Sequence, residues 1–254
     1  MNKNRVERTI SAVFLTILCA AILIPIVCMV MGALLKPIGF WQLLLRQPDY
    51  LLKFWKSFIL SAVIALINCV VSCMSGFAFA KYRFRGRSML YFIMILLMMM
   101  PLQVTLVPNY IVLDRLHLLN TWAALALPAI FVPLGTVLMT QVFRSVPNEV
   151  IDSARIDGAT TAIVLWRILV PVTKGGTISL LLLTFIDSWN MVEQPMAFLE
   201  DTAKYPFSVF LSTMNETNIA LSFAGGVLSI LPVLLLFLYF QKELLSGLEF
   251  MGIK

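Results

Sequence analysis

Residues 147–159 read Pro147-Asn-Glu-Val-Ile-Asp-Ser-Ala-Arg-Ile-Asp-Gly158-Ala159, and Ile168-Leu-Val-Pro171 follows shortly after. Pro147 suits the first turn of a helix, where its missing N–H has no partner to lose. Glu149 and Asp152 lie near the positive end of that helix. Val150 and Ala154 are four apart and are expected on one face. Gly158 stops the helix, as glycine does one residue past a C-cap. A second amphipathic stretch, residues 161–169, leads on to Pro171. A segment this polar cannot span a bilayer, yet long apolar stretches flank it on both sides.

Those flanks set the class. The chain has 254 residues, 60% of them hydrophobic and 13% charged. A soluble domain carries about 25% charged residues, so this one cannot cover itself with polar surface and must be solvated by lipid. A bilayer-spanning helix needs about 20 apolar residues. Six stretches reach that length, at about 10–35, 57–80, 88–113, 121–143, 175–199 and 222–241. The loops between them are short. The expectation is an all-α, polytopic membrane protein with one membrane domain over residues 1–254. The run at 10–35 is too long for the apolar region of a cleaved signal and reads as a retained first span.

Thirteen of the nineteen Lys and Arg residues fall in the N-terminal eight residues, the 81–87 and 144–174 loops and the C-terminal end. The positive-inside rule then places these loops and both termini in the cytoplasm. It also accounts for the net charge of +6 without nucleic acid. Residues 36–56 mix four basic residues with Trp, Tyr and Phe, a pattern suited to a short element at the outer interface. Pro25, Pro101, Pro108, Pro128, Pro133 and Pro232 interrupt the apolar stretches and are expected to kink them.

Chemistry-bearing patterns are few. Cys19, Cys28, Cys69 and Cys73 lie in apolar stretches and read as small fillers of membrane helices rather than as disulfides or metal ligands. His117 has no ligand partners at metal spacing. No phosphate-binding Gly-x-x-x-x-Gly-Lys occurs, so no ATP hydrolysis is expected on this chain. A charge at the bilayer centre costs about 2.5–3.5 kcal/mol on insertion scales, so intramembrane polar residues face protein or water. Asp187, Asn190 and Gln194 are spaced to share a helix face, and Glu193 lies nearby. They are the candidates for a pathway wall, helix–helix bonding with a partner being the other reading. Asn68, Gln103, Thr105, Asn109 and Gln141 read as interhelical bonding groups.

The 147–171 segment resembles the cytoplasmic coupling loop of permease subunits in ABC importers. That family carries Glu-Ala-Ala, three residues, Gly, nine residues, then Ile-x-Leu-Pro. Here Asp152-Ser153-Ala154, Gly158 and Ile168-Leu169-Val170-Pro171 stand at those offsets. Arg155-Ile156-Asp157-Gly158-Ala159 is similar to the second permease subunit of maltose-type systems. Phe77-Ala-Phe-Ala-Lys-Tyr-Arg-Phe-Arg-Gly-Arg87, Pro101-Leu-Gln-Val-Thr-Leu-Val-Pro108, Leu118-Leu-Asn-Thr121, Tyr205-Pro206 and Phe240-Gln-Lys242 with Gly247-Leu248 also match in order, so the likeness covers about residues 50–254. Gly175 and the acidic stretch at 187–195 depart from the sugar-permease pattern.

The resemblance implies a type I importer fold with six transmembrane helices in the bacterial plasma membrane. It implies a second, homologous permease, two ATPase subunits that hold the ATP and magnesium, and an extracellular solute-binding protein. It makes Glu149, Asp152, Ala154, Arg155, Asp157 and Gly158 the residues that couple to the ATPase, and a carbohydrate or related polar solute the cargo. The rival with the same architecture is a subunit of an export or sensing complex for a cationic or amphiphilic ligand. An integral-membrane enzyme is disfavoured by the single histidine, and a self-contained channel would have no use for the coupling loop.

Overall fold

The computed structural model describes the backbone of residues 3–35, 48–217 and 219–250, and the side chains of 12–35, 50–213 and 223–244. Every regular element among them is helical: α1 (Lys3–Leu34), α2 (Pro48–Lys81), α3 (Arg87–Met98), α4 (Leu102–Arg115), α5 (Trp122–Ile130), α6 (Pro133–Arg144), α7 (Asn148–Ile156), α8 (Thr161–Val172), α9 (Lys174–Trp189), α10 (Glu193–Phe198), α11 (Phe207–Thr217) and α12 (Ile219–Phe250). A single 3-10 turn at Thr202–Lys204 joins α10 to α11.

Four spans are long and apolar enough to cross a membrane: Ala12–Leu34, Tyr50–Lys81, Trp122–Arg144 and Phe223–Leu244. Counting each of two bent helix pairs as one span gives up to six, and two of the expected spans are corrected. The stretch at 88–113 is not one kinked helix. α3 and α4 meet at 106°, because the residue before Pro101 is driven out of the helical region and Pro101 itself is extended at ψ 146°. The stretch at 175–199 is broken as well. α9 ends at Trp189, and α10 begins only at Glu193. Pro195 has no N–H to offer the Met191 carbonyl four residues back. The Ser208 hydroxyl donates to that carbonyl instead. At its other end α9 meets α8 at 86°.

The expected interface element at 36–56 is corrected in part. Residues 48–56 belong to α2, which continues unbroken to Lys81, while 36–47 lie outside the described residues. The last helix runs to Phe250, beyond the expected end at 241.

Two compact units emerge. In the smaller, made from Met1–Leu51 and Leu211–Pro232, small residues let helices touch. A Cβ on Gly32 would lie 3.0 Å from the Phe223 ring, and one on Gly226 would lie 2.9 Å from the Met29 sulfur. Along α1, Val13, Phe14, Leu15, Ile17 and Leu18 are all exposed. A helix apolar on every side is stable in lipid or against other apolar helices.

The larger unit, Leu52–Phe210 with Val233–Lys254, has two apolar clusters stacked along α2. Leu60 and Ile64 pack with Leu113, Ala124, Leu125, Ile130, Met191 and Phe198. Further along, Cys69, Cys73 and Phe77 pack with Met139, Val142, Phe143, Ile151, Ala154, Val164, Leu165, Leu169 and Leu180. Cys69 and Cys73 thus fill apolar space, as their setting in the sequence implies.

A polar layer separates the clusters. Pro133 starts α6 and gives no N–H to the Ala129 carbonyl four residues earlier. In a lipid-solvated helix an unpaired carbonyl is costly. Asn68, 1% exposed, supplies the missing donor, with Nδ2 3.4 Å from the Ala129 oxygen and 2.8 Å from that of Ile130. Its own carbonyl accepts from Thr184 at 3.2 Å and from Ser72 at 3.4 Å. Gly135 permits the approach: a Cβ there would sit 2.2 Å from the Ser72 hydroxyl. Asn68 is an interhelical bonding residue, as is Gln141, whose Nε2 donates to the Tyr91 hydroxyl at 3.0 Å.

Candidate coupling surface and pathway

α7 is short and carries its own start and stop. Glu149 stands in the first turn and Arg155 in the last, each at the end that favours its charge. Gly158 has φ +82°, a left-handed conformation that costs glycine least. The Ala159 N–H donates to the Ala154 carbonyl at 2.9 Å and the Gly158 N–H to that of Arg155 at 3.0 Å. This six-to-one and five-to-two pair is a Schellman stop. Thr160 then caps α8 by accepting from the Ile163 N–H at 3.4 Å. α8 opens into a wide π turn over Val164–Leu169, followed by Pro171, which cannot donate to the Arg167 carbonyl.

The inward face of α7 is Ile151 and Ala154, 3% and 9% exposed. This corrects the sequence pairing of Ala154 with Val150. Ala154 lies in the chain's own core with Val164 and Leu165, and its smallness serves that internal approach. Val150 is on the open side. Glu149, Asp152, Arg155, Asp157 and Gly158 are exposed there too, and Ile156 is 86% exposed. Four charged side chains and the apolar side chain of Ile156 are thus exposed on this segment.

Four contacts that sequence reading missed fasten α7 and its flanks to the end of α2 and the residue after it. Lys81 Nζ donates to the Val146 carbonyl at 2.5 Å and to Asn148 Oδ1 at 3.0 Å. The Tyr82 hydroxyl lies 3.1 Å from that of Thr161. The Arg155 guanidinium stands 5.9 Å from the centre of the Tyr82 ring. The available signal was only that both loops carry inside-type charge.

The polar residues of the fifth span are arranged differently from the sequence expectation. Asp187 is on α9, Asn190 follows its last residue, and Glu193 and Gln194 open α10. The break at 190–192 means that Asp187, Asn190 and Gln194 do not line one continuous helix face. Asp187, Asn190 and Glu193 are exposed and Gln194 is half-buried. Asn190 returns its amide to the Ile186 carbonyl at 3.0 Å. Gln103, just past the bend between α3 and α4, donates to both Glu193 carboxylate oxygens at 3.1 and 3.2 Å. The two breaks in the chain are thereby joined. His117 is exposed in the turn after α4, and among the described residues no group of His, Cys, Asp and Glu could hold a metal.

The chain is thus a broken, multi-span helical core with a short self-capped helix, α7, packed against it. Residues 70–247 match the family described as binding-protein-dependent transport system inner membrane component. The chain belongs to that family and is a multi-pass membrane permease subunit of an ABC importer. It is 30% identical over 208 residues to the arabinooligosaccharides transport system permease protein AraQ of Bacillus subtilis (strain 168), covering 81% of this chain and 74% of that one. AraQ of Halalkalibacterium halodurans is also 30% identical, over 79% of this chain and 73% of its own. The sn-glycerol-3-phosphate transport system permease protein UgpE of Yersinia pestis is 28% identical over 76% and 70%. The fold is shared with a chain in the crystal structure of a bacterial ABC transporter involved in the import of the acidic polysaccharide alginate. There the TM-score is 0.80 at 22% identity, over 95% of this chain and 98% of the other.

Proposed function

We propose that this chain forms half of the translocation pathway for a carbohydrate or related polar solute, and that α7 is its contact with a separate ATPase. The observation that carries the reading is the division of α7. Ile151 and Ala154 root the helix in the permease core, while Glu149, Asp152, Arg155, Ile156 and Asp157 are left outward. Motion imposed on the outward face is carried into the membrane core because the inward face is packed within it. In this reading ATP and magnesium bind the two partner ATPases, whose closure moves α7. A second, homologous permease completes the pathway and an extracellular solute-binding protein delivers the cargo. The names of AraQ and UgpE support a sugar or sugar-related solute.

In this reading the 81–87 and 144–174 loops and both termini lie on the cytoplasmic side, which the distribution of basic residues supports. Alternating access then takes the form of the helical core rocking around a site near the breaks. Asp187, Asn190, Glu193 and Gln194 flank the break in the fifth span, and polar groups at a broken membrane helix are the kind that line a solute path.

The test is to purify the intact complex through this chain and identify its subunits by mass spectrometry. Recovery of a second permease and an ATPase is expected. A chain that purifies alone in a transport-competent form would contradict the proposal.

A further inference from the structure

Where α3 begins and α6 ends, Arg87, Ser88, Tyr91, Phe92, Ile95 and Arg144 line a cavity of about 280 Å³. The coupling reading does not use it. Arg87 opens one apolar helix and Arg144 closes another, and both line this one cavity. Immediately beyond Arg87 the surface is apolar: Met89, Leu90 and Phe92 are 70%, 48% and 58% exposed. That succession, cationic and then greasy within one helical turn, matches the passage from headgroup to acyl chain.

The cavity is built rather than incidental. The Arg144 guanidinium is held over the Tyr91 ring, 4.7 Å from its centre. Tyr91 is itself buried and fixed by the Gln141 amide, which donates to its hydroxyl and leaves the phenol proton to donate onward. Arg87 gives one N–H to the Tyr82 carbonyl at 3.0 Å and keeps the rest of its fork. Among the described residues neither arginine has a carboxylate in ion-pair range. Two like charges sharing a small cavity repel, and an anion between them relieves that repulsion.

We propose that this cavity binds the phosphate of an anionic phospholipid. Arg87 and Arg144 hold its oxygens, the Ser88 and Tyr91 hydroxyls add donors, and Phe92 and Ile95 meet the first acyl carbons. Arginine forks suit phosphate geometry, and basic pockets between membrane helices take lipid headgroups. The volume lies just under the roughly 300–1,000 Å³ of pockets for whole small molecules, which fits a headgroup better than an oligosaccharide. Free phosphate shares the chemistry; the open apolar wall of Phe92 favours the lipid.

The experiment is native mass spectrometry of the purified permease–ATPase complex offered phosphatidylglycerol and phosphatidylcholine together. Wild type should retain phosphatidylglycerol preferentially. An arginine near a lipid surface contributes about a fivefold factor, so the R87Q/R144Q variant should lose about 25-fold of that preference. R87K/R144K keeps the charge and should keep more of the preference than R87Q/R144Q, which separates the site from a folding defect. R83Q/R85Q removes two charges outside the cavity and should leave the preference in place.

Four results would overturn the proposal. One is an unchanged preference in R87Q/R144Q. A second is an equal loss in R83Q/R85Q, which would make the effect one of diffuse charge. A third is full displacement of the lipid by inorganic phosphate alone, which would assign the site to a soluble anion. The last is loss of the ATPase from R87Q/R144Q with lipid preference intact, which would assign the arginines to a subunit contact.

Discussion

Lys81, the last residue of α2, donates to Asn148, the first residue of α7, across 3.0 Å. The same ammonium also holds the Val146 carbonyl. The end of the second span is therefore tied to the start of α7 by a side chain rather than by the backbone, which takes a path through α3 to α6 to connect them. A hydrogen bond to a charged group is worth about 1.5–3 kcal/mol when sheltered, and less at an exposed position. Lys81→Met keeps most of the stem's apolar contact and removes the donor. It should leave the complex assembled and lower transport per ATP hydrolysed several-fold, read by parallel uptake and phosphate-release assays. Unchanged coupling would show that packing by Ile151 and Ala154 transmits motion alone.

Gly158 offers a test of the stop. A Cβ there would meet nothing within 4 Å, and φ is +82°, so backbone strain is the only internal cost of a side chain. Alanine should cost on the order of 1 kcal/mol. Asparagine tolerates the left-handed region and should be milder than alanine, with valine worse than both. Gly158→Asp adds charge at the outward face and is expected to leave the permease in the membrane while releasing or uncoupling the ATPase. ATPase copurification and uptake, measured across the four variants, should follow that order. A flat series would remove the positive φ from the explanation.

This element was legible in the sequence because everything that shapes it is local: Pro147, the terminal charges of α7 and Gly158 lie within twelve residues. Its orientation was not. Val150 and Ala154 sit four apart, yet the buried pair is Ile151 and Ala154, and only the distant core of Val164, Leu165 and Phe77 decides which side faces inward. The breaks at 99–101 and 190–192 were hidden for another reason. Apolar content averaged over 20 residues is blind to a two- or three-residue interruption, and a proline signals a kink without fixing its angle. The Lys81–Asn148 and Gln103–Glu193 contacts join residues 67 and 90 apart, a separation at which no periodicity reports.

Asn68→Leu isolates the repair of the proline break. Leucine fills the space but leaves the Ile130 and Ala129 carbonyls without the amide, at a cost of about 1–3 kcal/mol. The purified complex should unfold at a lower temperature by differential scanning fluorimetry. Asn68→Asp keeps the acceptor for Thr184 and still lacks the donor, so it should not restore stability. Wild-type stability in Asn68→Leu would mean that the break at 131–132 needs no capping amide.

Asp187 tests the pathway reading apart from assembly. It is exposed on α9, one residue before Ser188 and Trp189, which are buried. Asp187→Asn preserves shape and removes charge. Uptake, or ATP hydrolysis stimulated by substrate, should change at least several-fold while the subunits still copurify. Loss of copurification would place Asp187 at a subunit contact instead.

A photocrosslinking residue at position 156 addresses the docking of α7 most directly. Ile156 is 86% exposed at the tip of the helix, whereas Ile151, one and a half turns back, is 3% exposed. In membranes carrying the whole transporter, irradiation should join position 156 to the ATPase subunit, while positions 151 and 204 give no such adduct. An ATPase adduct at 204 with none at 156 would contradict both the docked helix and the cytoplasmic placement of the 144–174 segment.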